Sequence, residues 1–180
     1  MDKIILVSHC FFNPHSVIKP KKSNTNLSSD IISYFLSLGY GFFQLPCPEL
    51  TCMGKKRWAM SFEQYDTPFF KSHSQKILDP LIPQLEDYLN NDTIIAGVIG
   101  IKGSPSCATH IVSSNPDWEG IFQENIESCI KIEGDGVFIK ELKIILKQLK
   151  INCPMFELPS TSISNEEKSK WIQDIKKYMI

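Results

Sequence analysis

The run Thr93-Ile94-Ile95-Ala96-Gly97-Val98-Ile99-Gly100 carries no charge, is rich in β-branched residues and follows the polar Asn90-Asn91-Asp92. A strand of this composition has no face to turn to water, so it predicts a place inside a parallel sheet covered by helices on both sides. Lys3-Ile4-Ile5-Leu6-Val7-Ser8 and Gly41-Phe42-Phe43-Gln44-Leu45 are two further short apolar runs, and Pro154-Met155-Phe156-Glu157-Leu158 is a fourth strand. Between them lie segments with helical spacing. Residues 27–38 stop at Gly39, with Asn24, Thr25 or Asn26 as cap; residues 71–90 are interrupted at Pro80 and Pro83. Residues 137–150 bury Phe138, Leu142, Ile145, Leu146 and Leu149, and residues 164–179 open at Ser164 with Glu166-Glu167 in the first turn. Strands alternating with helices predict one α/β domain over residues 1–180, with a doubly wound, mainly parallel, Rossmann-like sheet. Residues 51–67 are read as a loop or short helices over the strand ends. Residues 110–118 are read as a mobile loop covering the site, residues 118–126 as a helical turn, and residues 132–138 as a Gly-rich tight turn.

In such a sheet ligands bind at the carboxyl ends of the strands, where strand order reverses. Cys10 follows the first strand, Cys47 the second, and Cys107 the central one within Ile101-Lys102-Gly103-Ser104-Pro105-Ser106-Cys107-Ala108-Thr109-His110. Parallel strands would therefore deliver three thiols, far apart in sequence, to one edge. Singly, a cysteine is more often a small buried hydrophobe than a ligand. Cys129 and Cys153 fit that role, and Cys52 is open between lining the site and packing beneath it. Cys10, Cys47 and Cys107 instead lie in loops beside Pro, Ser or His. Three thiolates without a fourth partner suit an open metal site, and a cubane iron-sulfur cluster held by three leaves one iron free. No close-spaced CxxC is present, so position on the fold carries the signal.

With a formal net charge of −1, the chain offers no electrostatic case for nucleic acid, and Lys19-Pro20-Lys21-Lys22 is expected to be a solvated loop. The first apolar run is too short for a signal peptide or a membrane span, which makes a cytoplasmic, membrane-independent protein the expectation. Six cysteines in a reducing compartment point to metal binding, catalysis or burial rather than to disulfides.

The set Ser8-His9-Cys10, Pro46-Cys47-Pro48-Glu49 followed by Gly54 and Arg57, and Gly103-Ser104-Pro105-Ser106-Cys107 resembles the thiouracil desulfidase family and its TudS-related branch. The resemblance reaches from the first strand to the helix at residues 137–142. It implies a 4Fe-4S cluster bound by Cys10, Cys47 and Cys107, whose open iron takes the sulfur of a small thiolated substrate while water replaces it on carbon. Glu49 is then the general acid or base, and Ser104 the hydroxyl that binds substrate or relays a proton. The loop Phe11-Phe12-Asn13-Pro14-His15 and Ala108 depart from the family's pattern around the pocket. His9, His15, Arg57 and Tyr65 are candidate pocket residues. The competing readings are a metal-free thiol enzyme, with one cysteine as nucleophile, and a non-catalytic metal- or sulfur-binding module.

Overall fold

The computed structural model describes residues 1–18, 25–120, 122–123, 128–159 and 164–179. The Lys19-Pro20-Lys21-Lys22 cluster, the Asn24 cap and most of the end of the turn expected at 118–126 lie outside the described residues. In chain order the elements are β1 (Lys3–Val7), α1 (Thr25–Ser37), β2 (Tyr40–Gln44), α2 (Pro48–Met53), α3 (Phe62–Tyr65), α4 (Pro68–Leu78) and α5 (Ile82–Asn90). They continue with β3 (Ile94–Ile101), β4 (Ile111–Ser114), β5 (Ile130–Glu133), α6 (Val137–Gln148), β6 (Met155–Leu158) and α7 (Asn165–Met179). Among the described residues no helix is long and apolar enough to cross a membrane.

The main sheet has the order β2-β1-β3-β6, with every pair parallel. The chain leaves β1 for a neighbour on one side and later returns to its other side, so the order reverses at β1 and β3. Alternate residues of β1 supply two cores. Ile4 and Leu6 face a layer that includes Leu78, Leu85, Leu142 and Leu146, from α4, α5 and α6. Ile5 and Val7 face Leu27, Ile31 and Phe35 of α1 and Ile175 of α7. This is the three-layer, doubly wound arrangement the apolar runs predict.

Local chemistry explains the element ends. Gly39 takes a left-handed conformation (φ +79°) after α1, which only glycine adopts without strain. Pro80 and Pro83 divide residues 68–90 into α4, a 3-10 turn and α5, since each removes a helical donor. Ser164 Oγ accepts from Glu167 N–H while the Glu167 carboxylate accepts from Ser164 N–H, a reciprocal cap for α7.

Three segments depart from the sequence reading. The described residues of 118–126, expected as a helical turn, are not helical, and Ile132 and Glu133, expected in a tight turn, belong to β5. Residues 110–118, expected as a mobile loop, contain β4, which pairs antiparallel with β5 in a separate two-stranded ribbon. Glu63 of α3 anchors this ribbon by accepting from Ser114 Oγ and from Asn115 N–H at 2.9 Å.

Residues 104–109 are wedged between β3 and α6. The carbonyls of Pro105 and Ser106 accept from Val137 and Phe138 N–H at 3.1 and 3.0 Å, satisfying donors that the start of α6 would otherwise leave orphaned. A Cβ at Gly136 would stand 2.3 Å from the Ser106 carbonyl carbon, and one at Gly100 would stand 2.5 Å from the Cys107 carbonyl oxygen. Gly136→Ala is expected to cost about 2–3 kcal/mol by overpacking against backbone. A thermal melt should show this as a fall of roughly 5–10 °C for a domain of this size.

Candidate functional site

Each of the three predicted cysteines occupies a turn that its own strand end dictates. Cys10 lies in a 3-10 turn, His9–Phe11, one residue beyond β1. Cys47 is the N-cap of α2, its Sγ accepting from Leu50 N–H at 3.4 Å, with Pro48 at the first helical position and Glu49 in the first turn. Cys107 sits in the wedge after β3, where its N–H donates to Ser104 Oγ at 3.0 Å. All three line one cavity at the carboxyl edge of the sheet.

The thiols sense one another. Burial, then the neighbouring Cys47 and Glu49, push the Cys10 thiol up to about 12. Burial, followed by Cys47 and Cys10, lifts Cys107 well above the ordinary thiol range. Cys47 is raised by burial as well, with the Leu50 N–H partly offsetting it.

Glu49 is the hub of the polar side of the cavity. Its Oε1 accepts from Ser106 Oγ at 2.6 Å and its Oε2 from Arg57 Nε at 3.0 Å. The Tyr65 phenol is buried near this carboxylate; burial and then the Glu49 charge raise its pKa, so it stays protonated. Arg57 is held rigidly, with Nη2 donating to Ser16 carbonyl at 2.7 Å and Nη1 to Gly54 carbonyl at 3.1 Å. Burial alone would lower its pKa, but the Glu49 charge and hydrogen bond raise it further than burial lowers it. Arg57 and Tyr65, candidates from loop position alone, thus both lie beside Glu49.

Ser104 lines the cavity, yet its hydroxyl is committed to the backbone of Cys107 and lies 3.2 Å from Ser106 Oγ. Ser106 was not singled out by the sequence reading. It touches both Glu49 Oε1 and, at 3.4 Å, Cys107 Sγ. The linear Ser-Pro-Ser-Cys pattern does not distinguish it from Ser104; only the folded turn directs one hydroxyl to the Cys107 N–H and the other to Glu49. Glu157 of β6 was also missed. Its Oε1 accepts from three successive N–H groups, Thr109, His110 and Ile111, at 2.9, 2.8 and 3.0 Å, fixing the chain just after Cys107.

The other candidates divide. His9 faces Asn13, His15 is exposed, and neither lines the cavity. Cys52 packs against the small cluster of Tyr65, Phe70 and Val137. Cys153 packs on the main core, where burial pushes its thiol up to about 11. Cys129, expected to be packed away, instead lines the cavity. No disulfide joins any of the six cysteines. Among the described residues no three His, Cys, Asp or Glu side chains are grouped so as to hold one metal ion.

A doubly wound α/β domain with a thiol-rich cavity at its switch point is the class that fold and site define. The chain belongs to the 2-thiouracil desulfurase family: residues 2–127 match the family described as "Putative 2-thiouracil desulfurase". It is similar to an uncharacterized protein of Methanocaldococcus jannaschii, with 33% identity over 105 residues that cover 58% of this chain and 67% of the relative. No solved structure matches it significantly.

The ion pair at the hub has side-chain exposures of only 3% for Arg57 and 13% for Glu49. Removing one partner of such a pair strands the other charge, at a cost of about 3–5 kcal/mol. Arg57→Ala should therefore lower the urea midpoint strongly, while Arg57→Met combined with Glu49→Gln should recover much of the loss. Equal midpoints for the single and double variants would contradict a buried, mutually neutralising pair.

Proposed function

We propose that this protein is an enzyme that hydrolytically removes sulfur from a small thiolated heterocycle of the 2-thiouracil kind, using a 4Fe-4S cluster held by Cys10, Cys47 and Cys107. The observation that carries the reading is the meeting of three strand-end thiols in one cavity beside a carboxylate fixed by a buried arginine. The donor set fits such a group. Thiolates around a single tetrahedral ion stand about 4 Å apart, whereas a cubane takes one thiolate per iron and spreads them wider. The lack of a one-ion grouping therefore does not count against three cluster ligands. Bound there, the cluster would supply a Lewis-acidic iron for the sulfur of a C=S group.

The chain's own residues supply the remainder. Glu49 Oε1 accepts the proton of the attacking water, at the position where Ser106 Oγ now donates. Ser106, between that oxygen and Cys107 Sγ, passes a proton toward the sulfur side. Arg57 holds the carboxylate in one orientation, and Ser104 fixes the Cys107 backbone. Val17, Met60, Trp118 and Leu158 give the cavity apolar walls that exclude bulk water and suit a flat ring. A metal-free thiol enzyme is less well supported, because nucleophilic cysteines need a lowered pKa and all three thiols here are raised.

Protein reconstituted without oxygen should contain about four irons and four acid-labile sulfides per chain, as a cubane requires, and should release hydrosulfide from 2-thiouracil. Cys10→Ala, Cys47→Ala and Cys107→Ala should each abolish iron binding, whereas Cys153→Ala should not. Glu49→Gln should keep its iron and lose roughly 100-fold or more in kcat, the usual contribution of a general base. A colourless protein that takes up no iron overturns the cluster; a brown protein with no hydrosulfide release overturns the activity.

A further inference from the structure

Four thiols, not three, line the cavity, and the fourth comes from a different part of the fold. Cys129 immediately precedes β5, beyond the residues that match the family. Its backbone is pinned on both sides: Ser128 carbonyl accepts from Asn115 Nδ2 at 3.2 Å, and Ile130 pairs with Ser114. Asn115 and Ser114 are in turn held by Glu63. Two residues on, Lys131 donates from one face of the ribbon to Ser113, itself a cavity residue. Ile130 and Ile132 occupy the other face and are 61% and 37% exposed. All four β5 residues are exposed, and Val112, opposite Ile132 on that face, is buried; what the ribbon gives the cavity is Ser113 and, just before β5, Cys129. Of the cysteines outside the proposed ligand set, Cys52 and Cys153 pack in apolar clusters and do not line the cavity.

Resting on the cluster reading above, we infer that Cys129 supplies the fourth thiolate, capping the iron that Cys10, Cys47 and Cys107 leave open until substrate arrives. Iron in these clusters prefers thiolate sulfur. Capping forms one S–Fe bond, releases the Cys129 proton to solvent and displaces a solvent ligand; no electron moves. The sulfur of a thiolated substrate then replaces Cys129, whose thiolate takes a proton back. The cap would protect the one iron that a three-cysteine cubane loses most readily.

The test compares wild type, Cys129→Ala and Cys153→Ala, each reconstituted without oxygen and then titrated with ferricyanide. Iron release and the electron paramagnetic resonance signal of the three-iron cluster are followed in time. Wild type and Cys153→Ala should hold the fourth iron, and Cys129→Ala should lose it at least tenfold faster. Adding 2-thiouracil beforehand should narrow that gap by occupying the exposed iron in the variant. Equal rates of loss in all three proteins would overturn the cap while leaving a three-cysteine cluster standing. Failure of all three to take up iron would overturn the cluster reading and the cap with it.

Discussion

The buried parallel pairing of β1 between β2 and β3 is the constraint on which the rest of the structure depends. With both edges of β1 paired and both faces covered, its chain can leave only along the strand axis, and so can that of β3 beside it. The residues just past Val7, Gln44 and Ile101 consequently emerge on one rim, and the side chains there converge whatever their distance in sequence. The backbone hydrogen bonds of the parallel ladder, rather than any local cysteine motif, bring Cys10, Cys47 and Cys107 to one cavity. The reversal of strand order at β1 then leaves room above the rim, because the two crossovers depart in opposite directions.

Placing those groups together creates an electrostatic problem. Three thiolates and Glu49 would bring four negative charges into one cavity, against Arg57, the buried cation among the described residues. Arg57 bonds Glu49 and two carbonyls, and although its charge favours the thiolates of Cys10 and Cys47, burial outweighs it and the thiols keep their protons in the folded chain. An iron-sulfur core contributes the positive charge that would let three thiolates form, and metal binding to such a site is linked to proton release. Glu49 needs no metal to remain ordered, since Arg57 compensates its charge. The thiols and the Glu49–Arg57 pair are coupled neighbours: Glu49 raises the pKa values of Cys10 and Cys47 while Arg57 lowers them, and Ser106 touches both Glu49 and Cys107.

How much of this was legible in the sequence depends on whether a residue's role is set by its own strand or by a distant one. Apolar runs and helical spacing gave the four parallel strands and most of the main helices. Strand-end position gave the three cysteines, whereas Glu49 came into view only through the family resemblance. Ser106 was obscured because Ser104 and Ser106 are equivalent in a linear pattern; only the turn decides that Ser104 reaches the Cys107 N–H while Ser106 reaches across 57 positions to Glu49. Glu157 could not be found either, since three backbone donors at residues 109–111 leave no trace in side-chain chemistry. The ribbon was misread for a related reason. β4 and β5 are no shorter than β6, but they pair only with each other and their identity as strands comes from that pairing and from Glu63 rather than from an apolar run.

That ribbon changes where selectivity can reside. The matched region, residues 2–127, contains the three strand-end cysteines, Glu49, Arg57 and Ser106, whereas Cys129, Leu158 and Pro159 bring the remaining wall from outside it. The ribbon that carries this wall is tied to the main sheet through β4, where Ile111 N–H donates to Glu157 of β6 and Ile111 carbonyl accepts from Gly103 N–H, and to α3 through Glu63. The wall at Leu158 is part of the sheet itself through β6 pairing with β3. Substitutions on the ribbon can therefore alter the cavity's fourth side without disturbing the parallel ladder that sets the other three. The sheet thus positions the three strand-end cysteines, and the ribbon adds Ser113 and Cys129 to the cavity wall.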